Sequence, residues 1–266
     1  MREAAGYVPG YGADAVAFMA RRSAETHAAF VLPRLAPGTR LLDCGCGPGT
    51  ITVGLAQRVA PGLVVAVDRE PGQTELTRER AAAEGVDNVE VEVADVTALP
   101  FPEGSFDAVF SHALLEHLSR PVDALAEMRR VLAPGGMIAL AAPDFGGSLL
   151  APPDPEVDLA VEYYRRIGEA AGGDPLAGRR LGVHLAEAGF SGTELSARYE
   201  VHDPREPIVE HLAGRIERSA ELDAGESWAV GPAASAVMAR ALRTWGARPD
   251  ALFAQCWVSA VAWRAS

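Results

Sequence analysis

Gly45, Gly47 and Gly49 alternate over five residues, directly behind the run Leu41-Leu42-Asp43-Cys44 and directly ahead of a helical pattern that opens at Thr50. An apolar run, a glycine loop and a helix start in that order predict a strand, a tight turn and a helix N-terminus, the layout of a nucleotide-type site. Glycine lets the backbone take positive φ there, or approach a ligand with no Cβ in the way. The free N–H groups of the helix start point back at the loop. The spacing then selects among ligands. A dinucleotide loop has its third glycine three residues after the second, where this chain has Thr50, and a phosphate loop needs a lysine that is missing here. What remains is G-x-G-x-G behind the acidic Asp43, with no gap suited to a pyrophosphate.

Two further carboxylates fall at strand ends. Leu63 to Val67 is an unbroken apolar run, as in a buried parallel strand, and it stops at Asp68. An acidic residue about twenty positions past the first glycine can chelate the hydroxyl pair of a ribose; it can also cap the helix that starts near Pro71. Val89 to Ala94 reads as the third strand and ends at Asp95-Val96. That carboxylate can accept from an exocyclic adenine amine, with Val96 on the ring, or it can cap a turn. Phe106 to Phe110 is the fourth strand, with Ser111, His112 and then Leu115-Glu116-His117 just beyond it. Open α/β sheets bind ligands outside the carboxyl ends of their strands, so His112 and His117 are the candidates for a general base. For His117 a capping or core role competes.

The elements that position these residues follow from periodicity and turn signals. Ala13 to Leu32 reads as one helix, followed by helices at Thr50–Val59, Pro71–Glu84 and Pro121–Leu132 and by a fifth strand at Met137–Ala142. Strands alternating with helices call for a doubly wound parallel sheet. Tyr11 and Arg22, in the segment that feeds the first strand, can close over a ligand at the loop, or serve as a packed aromatic and a solvated arginine. Residues 145–156 are rich in Gly and Pro and read as a loop. Helices at Val157–Ala171 and Leu176–Ala188 follow, then a strand at Thr193–Val201 with His202 as a surface histidine. Helices at Pro207–Leu222 and Trp228–Trp245 and a last strand at Leu252–Trp263 complete the chain.

The composition bounds the function. With 266 residues, 48% hydrophobic and 23% charged, the chain suits one soluble α/β domain with additions. A net charge of −12 argues against nucleic acid, which needs a basic face. All 24 basic residues are arginine, which excludes Schiff-base and lysine-nucleophile chemistry. Three cysteines without framework spacing point to a reduced, cytoplasmic setting, and no second Cys/His cluster completes a metal site with Cys44 and Cys46. Neither a signal peptide nor a run long enough to span a membrane is expected.

Leu41 to Gly49, Val67-Asp68, Ala94-Asp95, Leu99-Pro100-Phe101, Ser105-Phe106-Asp107, Leu115-Glu116-His117 and Leu132-Ala133-Pro134-Gly135-Gly136 occur in that order. Together they resemble the class I S-adenosylmethionine (SAM) methyltransferases, of the small-molecule type found in ubiquinone and menaquinone biosynthesis, over residues 38–143. The pieces at 178–181 and 187–190 are similar to that family too. The resemblance implies a Rossmann-like sheet of seven strands, the last antiparallel, with SAM as cofactor and S-adenosylhomocysteine as product. It implies Gly45 and Gly47 along the methionine part, Asp68 at the ribose, Asp95 and Val96 at the adenine, and Ser111 and His112 bordering the sulfonium. Asp43, Cys46, Arg69, Gln73, Ala94, Tyr11 and Arg22 complete the expected cofactor set.

The expected organisation is a loop and helix at 1–37, a SAM-binding core at 38–150 completed by 178–203 and 250–266, and extra helices at 151–177 and 204–249. Those helices form a lid that shapes an acceptor pocket, or a homodimer interface. No Asn/Asp-Pro-Pro-Tyr motif follows the fourth strand and no Pro-Cys nucleophile is present. With the acidic charge, this favours a small organic acceptor methylated at O, C or N. Three rivals stand beside it: a SAM-fold protein that catalyses a cyclisation or rearrangement, a non-catalytic SAM-binding subunit, and a nicotinamide oxidoreductase, which the glycine spacing disfavours.

Overall fold

The computed structural model describes residues 13–203, 207–222 and 228–266. Leu42, Val65, Val67, Val109, Ile138 and Leu140 face one side of its sheet, while Leu41, Val64, Ala108, Phe110, Met137 and Ala139 face the other. Strands apolar on both faces need helices on both. The strands are β1 (Leu41–Cys44), β2 (Val64–Asp68), β3 (Val89–Val93), β4 (Phe106–His112), β5 (Leu132–Ala151), β6 (Ser191–His202) and β7 (Leu252–Trp263). Their order is β3-β2-β1-β4-β5-β7-β6. The first five pair in parallel, and β7 enters antiparallel between β5 and β6. This is the expected doubly wound, Rossmann-like sheet of seven strands. The order reverses at β1 and β4, which makes their carboxyl ends the switch point.

Helices α5 (Pro121–Val131) and α7 (Ala177–Glu187) cover one face through Leu125, Met128, Leu181 and Leu185. On the other face lie α3 (Thr50–Val59) and the short α2 (Ala24–His27), through Leu55, Val59, Ala24 and Ala28. They cross so closely that a Cβ on Gly54 would come 2.6 Å from that of Ala24. Helix α4 (Pro71–Ala83) runs beside β2 and β3. A separate apolar cluster joins α6 (Pro155–Ala170), α8 (Pro207–Leu222) and α9 (Pro232–Gly246) around Tyr163, Ile167, Leu212, Ile216, Leu242 and Trp245, with Phe253 of β7 beneath. Among the described residues, no helix is long and apolar enough to cross a membrane.

Three local expectations are corrected. The single helix at Ala13–Leu32 is instead α1 (Ala13–Met19), α2 and a 3-10 turn at Leu32–Arg34. Ser23 interrupts it: its backbone is extended, its N–H donates to His27 Nδ1 (3.3 Å), and its hydroxyl bonds that of Thr26 (3.1 Å). Residues 145–151 are part of β5 rather than loop. They swing through a bulge between Asp144 and Leu149 and pair again with β7, whose backbone supplies the partners. A Cβ on Gly146 would stand 2.6 Å from Arg179 Nη2, the guanidinium that donates to Asp144 at the bulge. His202 closes β6 and is 7% exposed, stacked on Phe253 at 5.8 Å between ring centres, because the helical cluster covers that end of the sheet.

Candidate active site

A cavity of about 590 Å³ opens at the carboxyl ends of β1 to β4. Its walls hold thirteen of the fifteen residues expected from sequence: Arg22, Asp43, Gly45, Cys46, Gly47, Asp68, Arg69, Gln73, Ala94, Asp95, Val96, His112 and His117. Tyr11 lies outside the described residues. Ser111 is a correction. Phe110 and His112 share one face of β4 and reach the cavity, so Ser111 points the other way, where its buried hydroxyl donates to Cys44 O (2.8 Å).

The loop after β1 is set by backbone bonds. The N–H groups of Gly45 and Cys46 both donate to Val67 O (2.8 and 3.0 Å), which ties the loop to the end of β2. Gly47 then takes φ +53° and turns its N–H onto Asp68 Oδ2 (3.0 Å), while Thr77 Oγ1 donates to its carbonyl (2.8 Å). A Cβ on Gly47 would project into the cavity, 3.9 Å from both Gln73 Oε1 and Met19 Sδ. Gly49, at φ +77°, lets the start of α3 pass within 2.9 Å of Thr77 Cα, measured from the Cβ it lacks.

The carboxylates differ in surroundings. Asp43 is 3% exposed and accepts from Thr52 Oγ1 (2.7 Å); burial, with Asp68 adding like charge, lifts its carboxyl to about 7. Asp68 accepts from Glu70 N (3.0 Å) as well as Gly47 N, so it joins the glycine loop to the start of α4, and burial raises it too. These capping contacts hold the side chain at the cavity wall. Asp95 accepts from both the N–H and hydroxyl of Thr97 through Oδ1 (2.8 and 2.7 Å), the turn contact that sequence left open.

Both histidines are held uncharged. His112 ends β4, stacks on Trp257 at 4.5 Å and meets His27 edge-on at 5.1 Å. Burial, with Arg22 adding repulsion, drives it well below the usual imidazole range, and neither ring nitrogen has a hydrogen-bond partner. His117 sits in a 3-10 turn (Leu115–His117) and is pushed down to about 3 by the same two causes, with Glu116 Oε1 3.7 Å from its Nε2. Glu116, 9% exposed, is raised by burial to about 7.

Sequence reading missed the turn after α6. Ala170, Ala171, Gly172 and Gly173 line the cavity, packed on the 3-10 turn so tightly that a Cβ on Gly173 would stand 2.3 Å from Glu116 O. The Gly172-Gly173 pair was the available signal. Met19, Ile51, Phe110 and Leu118 also line the cavity and carry no motif that announces it.

A glycine-floored cavity with carboxylates at the strand ends of a switch point suits a nucleotide-type ligand, and the comparisons point the same way. Residues 42–140 match the methyltransferase domain family. An uncharacterised methyltransferase of Schizosaccharomyces pombe is 37% identical over 168 residues, 60% of this chain and 59% of that protein. The demethylmenaquinone methyltransferase of Thermus thermophilus is 34% identical over 183 residues, 61% of this chain and 76% of that protein. Among solved structures, a candidate methyltransferase from Bacillus halodurans superposes with a TM-score of 0.64 at 18% identity, over 91% of this chain and all of that one, which speaks to fold. The chain belongs to the SAM-dependent methyltransferases of class I. It spans about half the length of several curated relatives, between 44% and 59% for three of them.

Proposed function

We propose that the protein transfers a methyl group from SAM to a small organic acceptor, at O, C or N. The observation that carries this reading is the single cavity wall that gathers the glycine loop, Asp68, Gln73 and Asp95-Val96 and extends to His112 and His117. These residues suit the cosubstrate. Gly47 leaves its Cβ position open, Asp68 is pinned at the wall by two N–H groups, and Gln73 Oε1 is buried without a partner, ready to accept from an ammonium or hydroxyl. We assign Gly45 and Gly47 to the methionine part, Asp68 and Gln73 to its neighbour the ribose, and Asp95 with Val96 to the adenine.

SAM brings an activated methyl group, so the chain's own residues contribute mainly alignment and exclusion of water. Alignment alone is worth about 7–11 kcal/mol in favourable cases. Helix α6 supplies the roof through Ala170 to Gly173, and we read α6, α8 and α9 as the lid of the acceptor pocket. His112 and His117 are neutral at pH 7, but the burial that keeps them so also makes them weak bases, so they suit positioning an acceptor better than deprotonating it. Titration calorimetry with SAM and with S-adenosylhomocysteine tests the reading. Micromolar binding of both is the expected result; folded protein that binds neither refutes it.

A further inference from the structure

The two edges of the sheet are built differently. One edge is β3, five residues long, with Glu90 and Glu92 in it and Val91 O taken by Arg78 Nη2 (2.8 Å). Short length and charge are usual ways of closing an edge to other chains. The other edge is β6, twelve residues without a proline. From Glu194 onward its register on β7 fixes which way each side chain points. Arg198, Glu200 and His202 share the face of Trp257, Gln255 and Phe253, while Leu195, Ala197, Tyr199 and Val201 share the face of Ala260, Val258, Cys256 and Ala254. Helix α7 crosses that second face near Leu195, where a Cβ on Gly182 would stand 3.2 Å from Leu195 Cδ1. Even so, Leu195 is 57% exposed, Tyr199 50% and Val201 66%, an apolar row along the free edge of the sheet.

Charge says what covers it. Arg198 Nη2 is buried without a hydrogen-bond partner, and such an atom calls for an acceptor that the single chain does not supply. Glu200, on the same face of β6, gives Oε1 to His27 Nε2 (3.2 Å), while its Oε2 stands 4.0 Å from His202 Nε2. If β6 pairs antiparallel with its own copy about a two-fold axis, the residue on the axis decides which charges meet. An axis at Arg198 or Glu200 sets that residue against itself, and one at Ala197 sets Glu194 against Glu200. One at Ser196 matches Glu194 with Arg198 but lays Tyr199 and Val201 against Thr193 and Ser191. An axis at Tyr199 alone satisfies both faces: Arg198 lies opposite Glu200 twice over, Val201 opposite Ala197, and Tyr199 opposite itself.

We propose that β6 is the interface with a second copy of this chain: two β6 strands pair antiparallel about a two-fold axis at Tyr199 and join the two sheets into one. The same surface serves both copies, as a two-fold interface requires. The pairing uses the outer edge of the sheet rather than α6, α8 and α9, so it leaves the roof of the cavity free. It also reaches the candidate site. Glu200, which meets Arg198 of the partner copy, is the residue that holds His27, and the His27 ring meets that of His112 edge-on at 5.1 Å. The interface does not depend on the methyltransferase reading, and neither stands or falls with the other.

Sedimentation velocity of the full chain at micromolar concentration is expected to give twice the single-chain mass of 27.9 kDa. Tyr199→Asp combined with Val201→Asp sets like charges against each other across the axis and should halve that mass, with the circular dichroism of wild type retained. Register is read by cross-linking in a Cys256→Ser background, since Cys256 is the β7 partner of residue 199. Tyr199→Cys should form an intermolecular disulfide under mild oxidation, because directly opposed residues of antiparallel strands bring their Cα atoms to ~4.5–5.5 Å. Leu195→Cys should not, since its copy lies about 27 Å along the ladder at ~3.4 Å per residue. A wild-type protein of single-chain mass overturns the proposal, as does a dimer that survives the doubly charged variant. So does the absence of the Tyr199→Cys cross-link, or an equal yield from Leu195→Cys. Should the doubly charged variant fail to fold, the wild-type mass and the two cysteine variants decide alone.

Discussion

At the carboxyl ends of β1, β2 and β3 the wall residues answer specific demands of backbone or charge, whereas in the cluster of α6, α8 and α9 they answer mainly demands of volume. Gly47 and Gly49 sit at positive φ, and Asp68 satisfies two N–H groups from different elements. Tyr163, Ile167, Leu212 and Trp245 pack as a core that other apolar side chains of similar size would fill. The same chain thus holds one region in which residue type is dictated and another in which it is only constrained. Perturbing the two should therefore separate stability from binding.

The largest effect is expected in the helical cluster. Trp245 is 2% exposed and its Nε1 donates to Pro152 O at 3.0 Å, so Trp245→Ala should cost about 3–5 kcal/mol in a denaturant titration. SAM affinity of the protein that remains folded should stay within about twofold, and a proportionate loss of both would merge the two regions into one unit. In the glycine loop the pattern should invert. Gly47→Val forces a β-branched residue into left-handed backbone and fills cavity space, and SAM affinity should fall on the order of 100-fold, about 2.7 kcal/mol. Wild-type affinity in that variant would remove the loop from the site. Asp68→Ala should weaken SAM by about 1.5–3 kcal/mol, the range for hydrogen bonds to a charged group. Unchanged affinity would leave Asp68 only its capping contacts.

The last prediction concerns pH, and its effect is comparable in size to the binding losses. Asp43 is raised from the usual carboxylate range to about 7, so between pH 4 and 7 the unfolded chain has lost a proton that the folded protein keeps. Stability then falls as pH rises through that window, by up to about 1.4 kcal/mol per unit. Asp43→Asn retains an acceptor for Thr52 and has nothing to ionise. Its stability relative to wild type should grow from pH 5 to pH 7.5. A constant difference between the two proteins would show that Asp43 ionises in the folded state as it does in the unfolded one.

This contrast also explains what could be read in advance. Gly45, Gly47, Asp68 and Asp95 were visible because each sits where a strand ends, and strand ends are marked by abrupt changes in residue type. Ser111 was misplaced for want of one fact, the phase of β4: the strand runs two residues further than its apolar run, and alternation then sends Ser111 away from the cavity and His112 into it. The break at Ser23 was hidden because Ala13 to Leu32 keeps a helical stripe across it, and only the His27 and Thr26 contacts interrupt the backbone. The extension of β5 to Ala151 depends on β7, a hundred residues later in the chain, and Gly/Pro content alone argued for loop. The roof at Ala170 to Gly173 was marked in sequence only by its Gly172-Gly173 pair, and its place over the cavity depends on the distant turn at Leu115–His117.

The position of β7 has a consequence for how the chain is made. It follows β6 in sequence yet lies between β5 and β6 in the sheet. During synthesis, the partners of Met137–Ala142 on one side, and those of Glu194–His202, reach the ribosome exit only with residues 252–263. Until then both strands present open hydrogen-bonding edges, the template for pairing with neighbouring chains. A nascent chain arrested before Leu252 should therefore be a client for holding chaperones, although its glycine loop and the β1–β4 switch point are already complete.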